Sequence, residues 1–405
     1  MKKTHLAQFA CFGGAPSFAE ELPVGQINLP PWDEFEAMFA DIFQRGYYTN
    51  HGPLVAELET AVARTLGVRH AICITNGTVA LAIAARALRL AGEVIVPAFT
   101  FPGTVQALSW AGLKPVFADV DPTTHTLSAT TVAARISPHS CAVLGVHLWG
   151  HPCDPVGLQA LCDDHGLQLF YDAAHAFGCG HAGSPIGGLG RIEAFSFHAT
   201  KIISGAEGGC LTTDDDEVAS RARTIRNFHQ AETFADVGLR INGKMSEAQA
   251  AMALLSLRHF DLHRGRNRRI FDIYRQRAAT WPDIRLYDFP DGEAHNYQYA
   301  VLEISPAAAL TRDELITLLH AENVLARRYF SPGVHRLSPY AEQPDPPALP
   351  VTEALCRNVM QIPLGPRVDA EAAHRICDLI ELALAEGGSI APRLRQASHT
   401  EARTG

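Results

Sequence analysis

From residue 50 to about residue 215 the chain alternates short apolar runs with longer amphipathic stretches. Leu54, Leu58, Val62 and Leu66 recur at four-residue spacing, which places them on one face of a helix. The runs Ala71–Ile74, Val94–Ala98, Pro115–Val120, Ala142–Leu148, Leu167–Tyr171, Ala194–Phe197 and Gly209–Thr212 read as strands. Those in the middle are nearly unbroken Val, Ile, Leu and Phe, as strands buried on both faces should be. Helical stretches between them, such as Val79–Leu90, predict an α/β fold with a mainly parallel seven-stranded sheet covered on both sides.

The pattern changes near residue 260. The segment Arg258 to Arg269 is dense in Arg and His and reads as the solvated face of a long connecting helix. Beyond it come a strand-like stretch, Asn296–Ile304, and a helix opened by the capping box Thr311-Arg-Asp-Glu314. A last helix presents Ile376, Leu379, Ile380 and Leu384 on one side. The predicted organisation is an N-terminal segment over 1–50, a large α/β domain over 51–260, a smaller C-terminal α/β domain over 261–391 and a polar, frayed tail over 392–405.

Composition narrows the class. A 405-residue chain that is 47% hydrophobic builds its core without disulfides or a structural metal. The net charge of −9 argues against a nucleic-acid partner, because no excess of cations exists to neutralise phosphates. The nine cysteines form no CxxC pair, and His151, Cys153, Cys162 and His165 lack the tight paired spacing of structural zinc. Reduced thiols in a cytoplasm are the expectation. The N-terminus carries no convincing signal peptide, and no apolar run reaches the about 18 residues of a membrane span.

Candidate chemistry centres on Lys201. It ends the stretch Ser196-Phe-His-Ala-Thr-Lys201 and is trailed by Glu207-Gly-Gly209. Upstream, Asp172 closes an apolar run, where an uncompensated carboxylate is costly. A lysine in a small, hydroxylated, glycine-trailed loop and a carboxylate in an apolar setting suggest a Schiff-base lysine and the partner of a pyridine nitrogen. Both belong to pyridoxal 5′-phosphate (PLP) chemistry. Three further segments point the same way. Thr75-Asn-Gly-Thr78 follows a strand and opens a helix, which makes Gly77 and Thr78 an anion site. Pro97-Ala-Phe-Thr-Phe101 ends the next strand and offers Phe101, rather than Phe99, as a ring platform. His175 lies three residues after Asp172, within reach of the ring's phenolic oxygen, and Ser196 is a phosphate donor. Taken singly, each has a blander reading: a turn, a core phenylalanine, a structural histidine. Their company is what reverses those readings.

The same residues carry a family resemblance. The stretches are Tyr48-Thr-Asn-His-Gly-Pro-Leu54, Asn76-Gly-Thr78, Val96-Pro-Ala-Phe-Thr-Phe101, Phe117-Ala-Asp-Val-Asp121 and Gly145-Val-His-Leu-Trp-Gly150. They continue with Asp172-Ala-Ala-His-Ala-Phe-Gly178, Ser196 to Lys201, Glu207-Gly-Gly209 and Asn242-Gly-Lys-Met-Ser-Glu247. In this order they resemble the DegT/DnrJ/EryC1/StrS aminotransferases, PLP enzymes of fold type I that act on sugars. The resemblance implies Lys201 for the Schiff base, Asp172 for the pyridine nitrogen, Gly77, Thr78 and Ser196 for the phosphate, and Phe101 over the ring. It puts His175 where many members have Gln. It implies that Asn242 reaches the cofactor of a neighbouring subunit, so the active unit is a homodimer with shared sites. Lys244 stands where many members have Arg.

Within the family, Trp149-Gly150 and Arg327-Arg-Tyr-Phe330 look most like the aminotransferases of dTDP-4-keto-6-deoxyhexoses. His335 and Tyr329 are the candidate sugar contacts, and glutamate is the expected amino donor. The alternatives are a 3-keto sugar or a cyclitol ketone as acceptor, a PLP-type sugar dehydratase, or an inactive regulator on the same fold. The dehydratases carry His at the Schiff-base position, which Lys201 argues against, and a regulator would show losses at Lys201, Asp172 or the phosphate residues.

Overall fold

The computed structural model describes residues 2–228, 237–290, 292–342 and 347–404, with side chains as far as residue 396. Seven strands make the central sheet: β1 (His70–Ile74), β2 (Glu93–Pro97), β3 (Lys114–Ala118), β4 (Ser140–Val146), β5 (Gln168–Asp172), β6 (Glu193–Ser196) and β7 (Gly209–Thr213). Their spatial order is β1-β7-β6-β5-β4-β2-β3. β7 runs antiparallel to both neighbours, and the other pairings are parallel. The α/β class and the mainly parallel seven-stranded sheet are therefore as the apolar pattern predicts.

Helices cover both faces. On one side α1 (Trp32–Arg45), α2 (Pro53–Leu66) and the later helix Glu247–Arg258 pack over a core that includes Leu58, Val62, Phe195 and Phe197. α2 begins with Pro53 after Gly52 and stops at Gly67, whose φ of 68° is the left-handed C-cap that glycine adopts without strain. Its Leu54, Leu58, Val62 and Leu66 are all buried, as the four-residue spacing requires. The other side carries α3 (Gly77–Ala87), α4 (Pro102–Trp110) and α5 (Asp216–Arg226) over Ile72, Val94, Val96 and Leu211. Between the faces, the connections leaving the carboxyl ends of β1, β2, β5 and β6 open on the same edge, where open α/β sheets bind ligands.

After Arg258 the chain turns at His259 into α6 (Phe260–Ala278). The Arg-rich face is not wholly solvated, contrary to expectation. His263 and Asn267 are buried, and Arg266 donates to Asn28 Oδ1 at 2.6 Å. The helix is thus a wall between the N-terminal segment and the sheet edge.

A three-stranded antiparallel sheet follows, β8 (Ile284–Leu286), β9 (Ala300–Ile304) and β10 (Val359–Ile362), in the order β8-β9-β10. β9 begins four residues later than the sequence suggests. Tyr297 has a left-handed φ of 51°, and Asn296 Nδ2 donates to the carbonyls of His175 and Phe177 at 2.9 and 3.0 Å. Residues 296–299 are clamped to the loop after β5 instead of pairing within the small sheet.

The N-terminal segment joins this second body. Leu22 and Pro23 pair with Val324 and Leu325, and the buried Glu322 carboxylate takes the Lys3 amine and the Ala10 and Ser17 N–H groups. Phe9, Phe18 and Leu22 share one core with Leu319, Ile376 and Ile380. The chain from Pro392, expected as a frayed tail, continues a helix over Gly387–Thr404 because Ile390, Ala391 and Leu394 bury against that core; Gly405 lies outside the described residues.

Candidate active site

A cavity of about 650 Å³ opens along the carboxyl edge of the parallel strands. Lys201, Asp172, His175, Gly77, Thr78, Phe101, Ser196 and Tyr329 all line it. Two of the residues singled out from sequence do not. His335 is buried, because the Val334 N–H donates to the Ala98 carbonyl at 2.9 Å and the turn Val334–Arg336 drives the ring inward against Phe117. Its Nε2 lies 3.8 Å from the Glu353 carboxylate, so a direct sugar contact is not available to it. Asn242 is exposed and accepts from Lys244 Nζ at 2.5 Å, outside the cavity but next to the end of β1, where the Gly243 carbonyl takes the Thr75 N–H.

The cavity's anion-binding end is made by the first turn of α3. The Asn76 carboxamide caps the helix by accepting the Val79 N–H at 2.9 Å, and Gly77 and Thr78 line the cavity just ahead of it. The helix N-terminus adds its positive dipole end. A Cβ on Gly77 would approach the Ser196 Cβ to 3.1 Å, so glycine is what lets Ser196 lie beside that turn. A phosphate-sized anion there would meet main-chain N–H groups and two hydroxyls.

The floor is Asp172, at the carboxyl end of β5. Burial pushes its carboxyl above the ordinary carboxylate range, opposed by the Thr104 hydroxyl, the Ala174 N–H, Lys201 and His147. Thr104 Oγ1 donates to Oδ2 at 2.7 Å and the Ala174 N–H donates to Oδ1 at 3.0 Å. A carboxylate so placed calls for a cationic or N–H partner from the cavity. Lys201 Nζ donates to the Tyr299 hydroxyl at 2.9 Å. Burial lowers the amine from its ordinary value to about 8, with Asp172 acting in the opposite sense. A lysine in that range is a usable base near neutrality.

One wall is aromatic. Trp149 stacks on Phe330 at 5.2 Å and on His175 at 5.6 Å, and His175 meets Tyr299 at 4.5 Å. Phe101 is half-exposed over the cavity, whereas Phe99 is fully buried. The remaining wall is polar and comes from distant segments: Gln26 and Asn28, Asn267, Gln298, Arg327 and Gln361. Sequence reasoning missed Thr104, Tyr299 and this polar wall. Thr104 has a weak signal, a hydroxyl in the first turn of a helix that starts at the ligand-binding edge. Tyr299 and the carboxamides have none, since their spacing reflects only folding.

Helix N-terminus with Ser196, buried carboxylate, open ring platform and buried amine match the phosphate, ring nitrogen, ring face and aldehyde of PLP one for one. Fold and pocket together define the class of PLP-dependent aminotransferases of fold type I. The sequence profile of the DegT/DnrJ/EryC1/StrS aminotransferase family matches residues 32–381, and the chain belongs to that family. It is 36% identical over 321 residues to dTDP-4-amino-4,6-dideoxy-D-glucose transaminase of Shigella dysenteriae, covering 78% of this chain and 86% of that one. The Escherichia coli transaminase of the same name is 31% identical over 89% of this chain and 98% of its own length. Among solved structures, DesI crystallised in the presence of its TDP-sugar product superposes with a TM-score of 0.92 at 42% identity, covering 96% of this chain and 100% of that one. The chain is accordingly a PLP-dependent nucleotide-sugar aminotransferase. Among the described residues no helix is long and apolar enough to cross a membrane, and no group of three His, Cys, Asp or Glu is placed to hold a metal ion.

Proposed function

We propose that the chain transfers the amino group of glutamate to the C4 ketone of a dTDP-4-keto-6-deoxyhexose. The donor becomes a 2-keto acid and the sugar ketone becomes an amine. The observation that carries the reading is Lys201: a buried amine held near pH 8 in one cavity with Asp172 and a helix N-terminus. The choice of sugar and carbon follows the likeness to transaminases whose names specify a dTDP-4-amino-4,6-dideoxyglucose.

Bound PLP supplies an electron sink for the carbanion that forms when the substrate carbon loses its proton. Gly77, Thr78 and Ser196 would hold its phosphate, and Phe101 would cover one face of its ring. Asp172 would keep the ring nitrogen protonated, which is what makes the sink effective. His175 would donate to the phenolic oxygen, and Lys201 would hold the aldehyde carbon. As a free amine, Lys201 Nζ would take the proton from the donor's Cα and in the second half-reaction deliver one to the sugar carbon. Tyr299, the hydrogen-bond partner of Nζ, keeps that amine aimed into the cavity. Tyr329, with Arg327 donating to its hydroxyl at 2.8 Å, meets the sugar.

The active unit in this reading is a homodimer. Asn242 supports it: an exposed residue at the phosphate end, flanked by exposed Ile241 and Leu239. The test of function is product mass after incubation with PLP, glutamate and a panel of keto-sugar nucleotides. Amination of the 4-keto-6-deoxyhexose alone is expected. Amination of a 3-keto sugar instead, or no product from protein that binds PLP, sinks the assignment. Mixing Asn242→Ala with Lys201→Ala protein tests the shared site, since hybrids then regain one intact site. Activity no higher than in the separate variants would overturn it.

A further inference from the structure

The ring of His175 is tied into a set of hydrogen bonds whose direction can be read without placing a proton by choice. A main-chain N–H only donates and a carbonyl only accepts. The Trp149 N–H donates to His175 Nδ1 at 3.3 Å, so Nδ1 carries no proton. The Trp149 carbonyl is bonded to His295 Nε2 at 3.0 Å, so that nitrogen carries one. The Tyr297 N–H donates to His295 Nδ1 at 2.8 Å, so His295 has its single proton on Nε2. Three backbone groups therefore fix the two rings: the Tyr297 N–H donates to His295, His295 donates to the Trp149 carbonyl, and the Trp149 N–H donates to His175. The ring of His175 lines the cavity, and Nε2 is its one remaining donor.

Both peptides that set this direction sit on left-handed backbone, with φ of 59° at Trp149 and 51° at Tyr297, a conformation that bulky side chains avoid. The Trp149 indole holds the imidazole in register by stacking at 5.6 Å with 19° between planes. We propose that Trp149 is a positioning residue. Its backbone N–H, on a residue whose carbonyl is anchored by His295, fixes His175 as the neutral Nε2–H tautomer, so that His175 offers one permanent donor to an anionic oxygen in the cavity. The proposal rests on the reading of the cavity as a PLP site, where that oxygen is the phenolic one. A neutral imidazole with a single outward N–H does there what a carboxamide N–H would do.

The surroundings agree. The ionisable groups facing His175 are Lys201, from the turn after β6, Tyr299, ahead of β9, and Asp172 on the same cavity wall. Burial first, and the Lys201 cation second, hold His175 well below the ordinary histidine range. Burial likewise pushes His295 down to about 3.

Imidazole nitrogen NMR on the full-length, cofactor-free protein labelled in histidine reads the tautomers directly. Assignment comes from the loss of one signal each in His175→Gln and His295→Gln. The expected result is two neutral Nε2–H rings that do not titrate between pH about 6 and 8. An Nδ1–H ring at His175, or its protonation in that range, overturns the proposal whatever the enzyme's substrate proves to be. On the loaded protein, His175→Gln should keep PLP affinity within about threefold, while His175→Phe, which keeps a stacked ring without a donor, should lose about tenfold or more. Equal affinities in the two variants would also overturn it. Failure of the aminotransferase reading would show separately, as absent product from the wild-type chain.

Discussion

The two ends of the cavity are assembled by opposite means. At the phosphate and ring end the groups come in short contiguous segments: Asn76 to Thr78, Asp172 to His175, Ser196 to Lys201. Each is a turn at the carboxyl end of a strand, so that the sheet itself sets their spacing. At the other end the wall is polar and is gathered from Gln26 and Asn28, Asn267, Arg327 and Gln361, which come from separate stretches of the chain and are carried by different elements. Chemistry common to a family is fixed by the scaffold. Specificity is placed on parts that can change without disturbing it. If this division holds, damage at the first end should strike turnover and damage at the second should strike substrate binding.

The widest expected gap is between Lys201→Ala and Arg327→Ala. Without its amine at the reacting carbon the first should lose about a thousandfold or more in kcat. The second should raise KM for the sugar nucleotide about tenfold with kcat within a few fold. Steady-state kinetics on both checks this, and a kcat loss of equal size in the two variants breaks the comparison.

Thr104→Val sharpens the chemical end. Its hydroxyl favours ionised Asp172 against burial, which raises that carboxyl. Removing the hydroxyl should raise it further. Because PLP needs the ionised carboxylate, affinity should fall about tenfold and be lost at a higher pH as the solution is acidified. Thr104→Ser should restore the wild-type curve. Equilibrium titration of PLP across pH distinguishes this from a merely loosened fold, which would lower affinity without moving the pH dependence.

Lys201 carries a pH signature of its own. Its amine titrates at about 8 in the folded protein, below the value it regains on unfolding. Between the two values the unfolded chain holds more protons, so stability of the cofactor-free protein should rise with pH across that window. Thermal melts of wild type and Lys201→Ala should converge as the pH climbs above about 8 towards the ordinary lysine range near 10.4. A difference independent of pH would show that the amine is not depressed. Tyr299→Phe, removing the acceptor of the Nζ proton, should shift the rising limb of the kcat profile to lower pH by a few tenths of a unit.

The same division explains what the sequence makes legible. The sheet was readable because buried parallel strands are continuously apolar, and the residues gathered at the cavity because each sits at the carboxyl end of a strand with its own local signature. Asn76 caps its helix whatever happens elsewhere. Tyr299 is different: it reaches Lys201 only because Asn296 clamps the preceding loop to His175 and Phe177, a contact spanning 121 and 119 residues. His335 misled for the converse reason. Its motif places it near the site in sequence, but one hydrogen bond from Val334 to Ala98 turns the ring away from the cavity. Local chemistry survives in a motif, whereas orientation set by a long-range contact does not.

The smallest expected effect probes the polar end most sharply. Gln361 is fully buried, yet neither its carboxamide nitrogen nor its oxygen has a hydrogen-bond partner within the protein, and neighbouring Gln298 has an unpaired Nε2. An unpaired buried carboxamide costs stability, so Gln361→Met, similar in shape and apolar, should raise Tm by about 1 to 3 °C. A residue kept at such a cost earns its place by pairing with ligand, and a carboxamide, donor and acceptor at once, suits sugar hydroxyls better than a carboxylate. The same variant should therefore raise KM for the sugar nucleotide about threefold and leave that for glutamate unchanged. A lower Tm would mean that the carboxamide is already satisfied by buried water, and would move Gln361 from the specific end of the cavity to its scaffold.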